Sequence, residues 1–165
     1  MSFDDLIEAI YARDKYDDFG NLAKTIYTDD PDKFYTDFFD KVRQFVEEGG
    51  NINQSRPPMG WSLMHIACEK RDVRLIKGIL NIDRSLLNTL ADCNYPPIFQ
   101  ALDADIDGPI QTGKEITLET TKAMLELGAD SDVKYKTYES LRDFAKSYGK
   151  IAVYKFDHTI QPLLQ

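Results

Sequence analysis

The sequence predicts an all-α domain built as a helical-repeat solenoid, about four helix-turn-helix units with atypical ends, on three observations. Apolar residues recur at three- and four-residue spacing along several separate segments. Gly, Pro and Asn clusters interrupt those segments every roughly 30 to 40 residues. Each interval reads as loop, short helix, tight turn and second helix, a unit that cannot bury its apolar face alone and therefore has to stack on its neighbours. At 165 residues, 42% hydrophobic and 29% charged, the chain suffices for one such domain with a full core.

The segments follow in order. FDDLIEAIYARD sets Phe3, Leu6, Ile7 and Ile10 on one stripe, with Asp4 and Asp5 suited to a helix N-terminus. In the polar stretch after it, Leu22, Ile26 and Tyr27 can line one face of a short helix before Pro31. A longer helix follows through Phe34, Phe38, Val42, Phe45 and Val46, stopped by Gly49 and Gly50. NINQSRPPMGW has no helical stripe and reads as a loop or hairpin finger. SLMHIACEKR and DVRLIKGILNI form a helix pair, the second with Leu75, Ile76, Ile79 and Leu80 along one edge. A turn at ADCNYPP leads to the short apolar IFQAL, an acidic segment, and a helix with Leu118, Met124, Leu125 and Leu127 ended at Gly128. SLRDFAKSYG and KIAVYKF close the chain as a last pair.

Several of these residues are specific. GWSLMHIACEKRDVRLIKGIL resembles an ankyrin repeat: Gly60, Ser62, Met64, His65 and Ala67 fall in the places of that family's G-x-T-P-L-H-x-A, and Ile79 and Leu80 in those of its paired leucines. NYPPIFQA is similar through Asn94, Pro96, Pro97, Ile98 and Ala101, with Phe99 for the histidine. AMLELGADSDVK and FVEEGGNIN resemble the repeat ending, and SLRDFAKSYG a degenerate closing repeat with Asp143 in the histidine place. The resemblance spans about Val42 to Phe156 and departs at Leu63, where the proline is missing, at Arg71, in the usual glycine place, and in an insertion after Ala101. It implies one domain over 1–165: an atypical first repeat (1–53), a repeat (54–88), a repeat with an inserted acidic loop at 103–115 (89–133), and a capping repeat (134–165). His65 is implied to hold neighbouring backbone by hydrogen bonds, with Cys68 a packed thiol beside it.

The insertion, DADIDGPIQTGKE, opens like a calcium loop, with Asp103, Asp105 and Asp107 at positions 1, 3 and 5, Gly108 at 6 and Ile110 at 8. Lys114 stands where the bidentate glutamate belongs, and Pro96 and Pro97 leave a short entering helix. A solvated loop, a partner-contacting loop and a weak calcium site using the three aspartates are the readings open here.

A net charge of −8 disfavours nucleic acid and anionic membrane and favours a basic partner at long range. The acidic start MSFDDLIEAI, without a secretory pattern, and the lack of any apolar run near the roughly 20 residues that span a bilayer point to the cytoplasm. Cys68 and Cys93 are expected as reduced thiols. No glycine pattern of a nucleotide cradle occurs, and neither His65 nor His158 has a nucleophile or acid at catalytic or ligand spacing, so a non-catalytic protein without a cofactor is expected. The ankyrin resemblance assigns partner contact to Arg56, Met59, Trp61, Glu69, Lys70, Asp92, Tyr95, Lys136, Tyr138 and Glu139. Aromatic and Met residues on such fingers dominate interface energetics, with Trp61 the first anchor or else a cover for the neighbouring unit. The expected function is protein-protein binding by a chain that is a monomer on its own. One form is an immunity or antitoxin protein neutralising a basic toxin, another a regulatory or host-directed adaptor, and a calcium-responsive module is the reading from a different class.

Overall fold

A computed structural model describes residues 1–13 and 30–164, and among them every regular element is helical. The helix expected around Leu22 and Ile26 lies outside the described residues. Eight α-helices are α1 (Phe3–Arg13), α2 (Pro31–Glu47), α3 (Leu63–Glu69), α4 (Val73–Ile82), α5 (Pro97–Thr112), α6 (Glu119–Glu126), α7 (Leu141–Lys146) and α8 (Lys150–Thr159). Short 3-10 turns at Arg84–Asn88, Asp92–Asn94 and Gln161–Leu164 accompany them. No described helix is long and apolar enough to cross a membrane.

The starts of the helices show why these segments fold as they do. Ser2 and Asp5 exchange hydrogen bonds at the start of α1 (3.2 and 2.7 Å), satisfying donors that a helix N-terminus leaves open. Asp30 accepts from the Lys33 amide ahead of α2, whose first residue is Pro31. Asp72 caps α4 through the Leu75 amide at 2.8 Å, and Ser140 caps α7 through the Asp143 amide at 3.1 Å.

The apolar stripes meet in one continuous core. Helix α1 packs on α2, α2 on α4, α3 on both α4 and α5, α5 on α6 and α7, and α7 on α8. Phe34, Phe38 and Val42 of α2 and Leu75, Ile76 and Ile79 of α4 are essentially water-free. At the α2–α4 contact the Phe39 ring lies so close to Gly78 that an added Cβ would stand 1.8 Å from it, so only glycine admits the ring. Between α3 and α4 the chain reverses at Arg71, with φ of 54°, a left-handed conformation that glycine adopts most readily.

The inserted loop expected at 103–115 is corrected. Residues Asp103 to Thr112 continue α5 for sixteen residues in all, and only then does the chain turn at Gly113 (φ 67°) and pass without regular structure into α6. The reason is a stripe that the alternating aspartates masked: Ile98, Leu102, Ile106 and Pro109 fall at four-, four- and three-residue intervals and are all buried. Helix α6 in turn starts at Glu119, one residue later than expected, with Leu118 in a left-handed conformation (φ 58°) and fully buried.

Candidate functional site

Three tight turns precede α3, α5 and α7 and project as adjacent fingers. The first, at 56–61, is closed by the Arg56 amide donating to the Trp61 carbonyl at 2.8 Å. The second, at 91–95, is closed by the Ala91 amide on the Tyr95 carbonyl at 2.9 Å, with Cys93 and Asn94 both left-handed. The third, at 135–138, pairs Tyr135 and Tyr138 in both directions (3.3 and 2.9 Å), with Lys136 left-handed between them.

The fingers are tied to one another. The Asp92 amide donates to the Met59 carbonyl at 3.2 Å, and a Cβ on Gly60 (φ 65°) would meet the Asp92 carboxylate at 2.4 Å, so glycine is required there by both space and backbone. His65, fully buried, bridges the first two: its Nδ1 faces the Ser62 amide (3.3 Å) and hydroxyl (2.9 Å), and its Nε2 lies 2.9 Å from the Tyr95 carbonyl. A neutral imidazole protonated on Nε2 satisfies all three partners. Burial holds the imidazole pKa down at about 4, against the opposing pull of the Tyr95 carbonyl. The second and third fingers meet through the Tyr95 and Tyr135 rings, whose centroids are 4.6 Å apart.

Between the fingers and the inner face of α5 and α7 lies a groove of about 520 Å³. Its floor is aromatic: Phe144 stands edge-on to Tyr138 (5.0 Å, 88°) and to Tyr148 (5.7 Å, 76°). Asp103 from α5 enters the same groove and accepts a hydrogen bond from the Tyr148 hydroxyl. Burial raises the Asp103 pKa, the Tyr148 hydroxyl works against that rise, and the nearby Asp107 charge adds to it. Burial likewise pushes the Tyr95 and Tyr148 hydroxyls above their ordinary range, so both remain neutral donors.

Of the ten residues assigned to partner contact, Met59, Trp61, Asp92, Tyr95, Lys136 and Tyr138 are brought together on this groove. Arg56, Glu69 and Lys70 are not. They lie toward α1, where Arg56 pairs with Glu8 at 2.7 Å, Glu69 accepts from the Tyr11 hydroxyl at 2.7 Å, and the Lys70 ammonium sits 4.5 Å over the Tyr11 ring. Glu139 pairs with Lys134 beyond the third finger. Trp61 is half-buried on the wall between the groove and a smaller depression of about 310 Å³ that Tyr11 and Arg56 help line, and its indole N–H is buried without an acceptor among the described residues.

Tyr148 and Phe144 were not among the expected contact residues, although they form the groove floor. Their signal is in SLRDFAKSYG, where both aromatics lie four residues apart on a short helix and its exit.

The weak metal site is corrected as well. Asp103, Asp105 and Asp107 lie on a helix rather than wrapping a loop, and they point to different tasks. Asp105 is wholly buried: one oxygen accepts from Arg71 Nε at 3.0 Å, the other from the Thr121 amide and hydroxyl at 2.8 and 2.9 Å. Asp107 accepts from the Gln111 amide group, one turn on. Among the described residues no group of three His, Cys, Asp or Glu is placed to hold a metal ion. Cys68 is buried, which pushes its thiol pKa upward, and Cys93 is exposed; the two are unbridged.

No protein-family model matches this chain, and no curated protein aligns with it significantly.

Proposed function

We infer that the chain is an ankyrin-type helical-repeat protein, non-catalytic, which binds another protein along the edge formed by its three fingers. The observation that carries this reading is the joining of three successive fingers over one aromatic groove, with the exposed Met59 at its rim. The phased sequence resemblance and the left-handed backbone at Arg71 support the repeat assignment. Half-buried aromatics held in place by neighbouring rings offer contact area at little entropic cost, the property that makes such residues anchors at interfaces.

The balance of 28 acidic against 20 basic residues favours a basic partner, steered in by long-range attraction. A small acidic binder of this kind suits an immunity or antitoxin role, in which occupying a basic toxin is the whole activity. The test is affinity capture from the source cells with the natural chain and with Trp61→Ala in parallel, followed by association kinetics on the captured protein. Retention of one basic protein by the natural chain, reduced by Trp61→Ala and associating more slowly as salt rises, supports the reading. A partner held equally by both chains, at a rate indifferent to salt, contradicts it.

A further inference from the structure

We propose that the groove is a receptor for one arginine side chain of the partner, its guanidinium lying against the tyrosine rings and donating to Asp103. This deepens the preceding reading and rests on it for the arginine belonging to a protein.

Asp72, Asp105 and Asp157 are each neutralised by an arginine: Arg13, Arg71 and Arg142 respectively. Asp103 is half-buried beneath the groove, yet among the described residues its only hydrogen-bond donor is the Tyr148 hydroxyl and no cation pairs with it. A carboxylate taken partly out of water without a counter-charge is costly, and a cation entering the groove removes that cost.

The walls select the same class of ligand. Tyr95, Tyr138, Phe144 and Tyr148 present ring surfaces around the carboxylate, and ring faces attract cations. A neutral apolar group would shed the water around Asp103 and leave its charge unpaired. An anion would meet Asp103 and Asp92 directly. Within the cations, a guanidinium fits better than an ammonium: it is planar, weakly hydrated, stacks on rings, and can donate two parallel N–H groups to the carboxylate. Lys136 already sets one ammonium 4.9 Å over the Tyr135 ring at the groove's edge. It also works against a second cation, which provides a test in the direction of gain.

The probe is N-acetyl-arginine amide, titrated into the whole chain and followed by Trp61 fluorescence and tyrosine ring chemical shifts, with the neutral isostere N-acetyl-citrulline amide in parallel. Saturable binding of the arginine compound, about tenfold weaker for citrulline and about tenfold weaker again in Asp103→Asn, is expected from the loss of a charge-assisted contact. Asp103→Asn keeps an acceptor for Tyr148, and its melting temperature at neutral pH should not fall, which separates lost binding from lost folding. Lys136→Asn tolerates the left-handed backbone and should tighten arginine binding by about threefold, a gain that misfolding cannot imitate. Equal binding of arginine and citrulline, indifference to Asp103→Asn, weakening by Lys136→Asn, or no saturation by arginine overturns the proposal. Should a protein partner dock at Met59 while the arginine probe ignores the groove, the arginine site is wrong and the protein-binding reading stands. Should the probe bind while no protein docks there, the reverse holds.

Discussion

Helices α4 and α6 each pack on the helix that precedes them, α3 and α5, and each has an aspartate at its N-terminus that is neutralised by an arginine; the aspartates come from opposite directions. At α4 the capping residue is the local Asp72, whose Oδ1 accepts from the Leu75 amide (2.8 Å) and whose Oδ2 is held by Arg13 and by the Tyr35 hydroxyl (2.9 Å). At α6 the local capping residue is Leu118, which has no polar side chain, and the task passes to Asp105 from the middle of α5. The lengthening of α5 makes this possible: it carries Asp105 past the start of α6, while Arg71 in the preceding turn supplies the counter-charge. A local cap and a remote one do the same electrostatic work, each holding three donors at a buried site; Asp105 is the deeper of the two, fully out of water where Asp72 keeps 9% exposure.

Asp105→Ala leaves the Thr121 amide and hydroxyl without their acceptor and Arg71 without its counter-charge, and should lower stability by about 3–5 kcal/mol in chemical denaturation. Asp72→Ala strands the Leu75 amide, the Tyr35 hydroxyl and Arg13 at a site with 9% exposure rather than none, and should cost about 2–4 kcal/mol by the same measurement. A larger loss for Asp72→Ala than for Asp105→Ala would contradict this ranking.

A third cap, the His65 imidazole at the start of α3, adds pH to the picture. Its folded pKa of about 4 lies below the ordinary 6.5, so between those values the unfolded chain binds the extra proton and the folded chain does not. Stability contributed by neutral His65 is therefore complete above pH 6.5 and lost as pH falls toward 4. Between pH 6.5 and pH 5 the loss should be about 1.5 kcal/mol, read from denaturation midpoints, and His65→Gln should flatten that slope. The smallest effect is expected at the groove wall, where Trp61→Ala should weaken partner binding by more than ~1 kcal/mol while the caps and the pH slope stay as they are. Unchanged affinity would reduce Trp61 to packing.

The same contrast explains what the sequence could disclose. Asp72 stands one residue before a run with apolar positions at helical spacing, so the start of α4 is readable from a local pattern, and so are the ends of α2 at Gly49 and Gly50. Asp105 is not readable that way, because its partners, Thr121 and Arg71, are sixteen residues ahead and thirty-four behind. In sequence, its alternation with Asp103 and Asp107 imitates a calcium loop and hides the four-residue stripe through Ile98, Leu102 and Ile106. The groove divides likewise. Met59, Trp61, Tyr95 and Tyr138 are legible as finger residues, whereas Phe144, Tyr148 and Asp103 join them through the packing of α5 against α7. Arg56 of the first finger and Glu69 and Lys70 at the end of α3 are instead engaged by α1, a contact no local spacing encodes.

The most direct test of the finger edge as the binding surface uses a photo-crosslinking amino acid at one position at a time, irradiated with the captured partner. Met59, 55% exposed at the groove, is compared with Val46, 42% exposed near the end of α2. A covalent adduct from position 59 and none from position 46 is expected. Crosslinking from position 46 with none from position 59 would contradict binding at the finger edge.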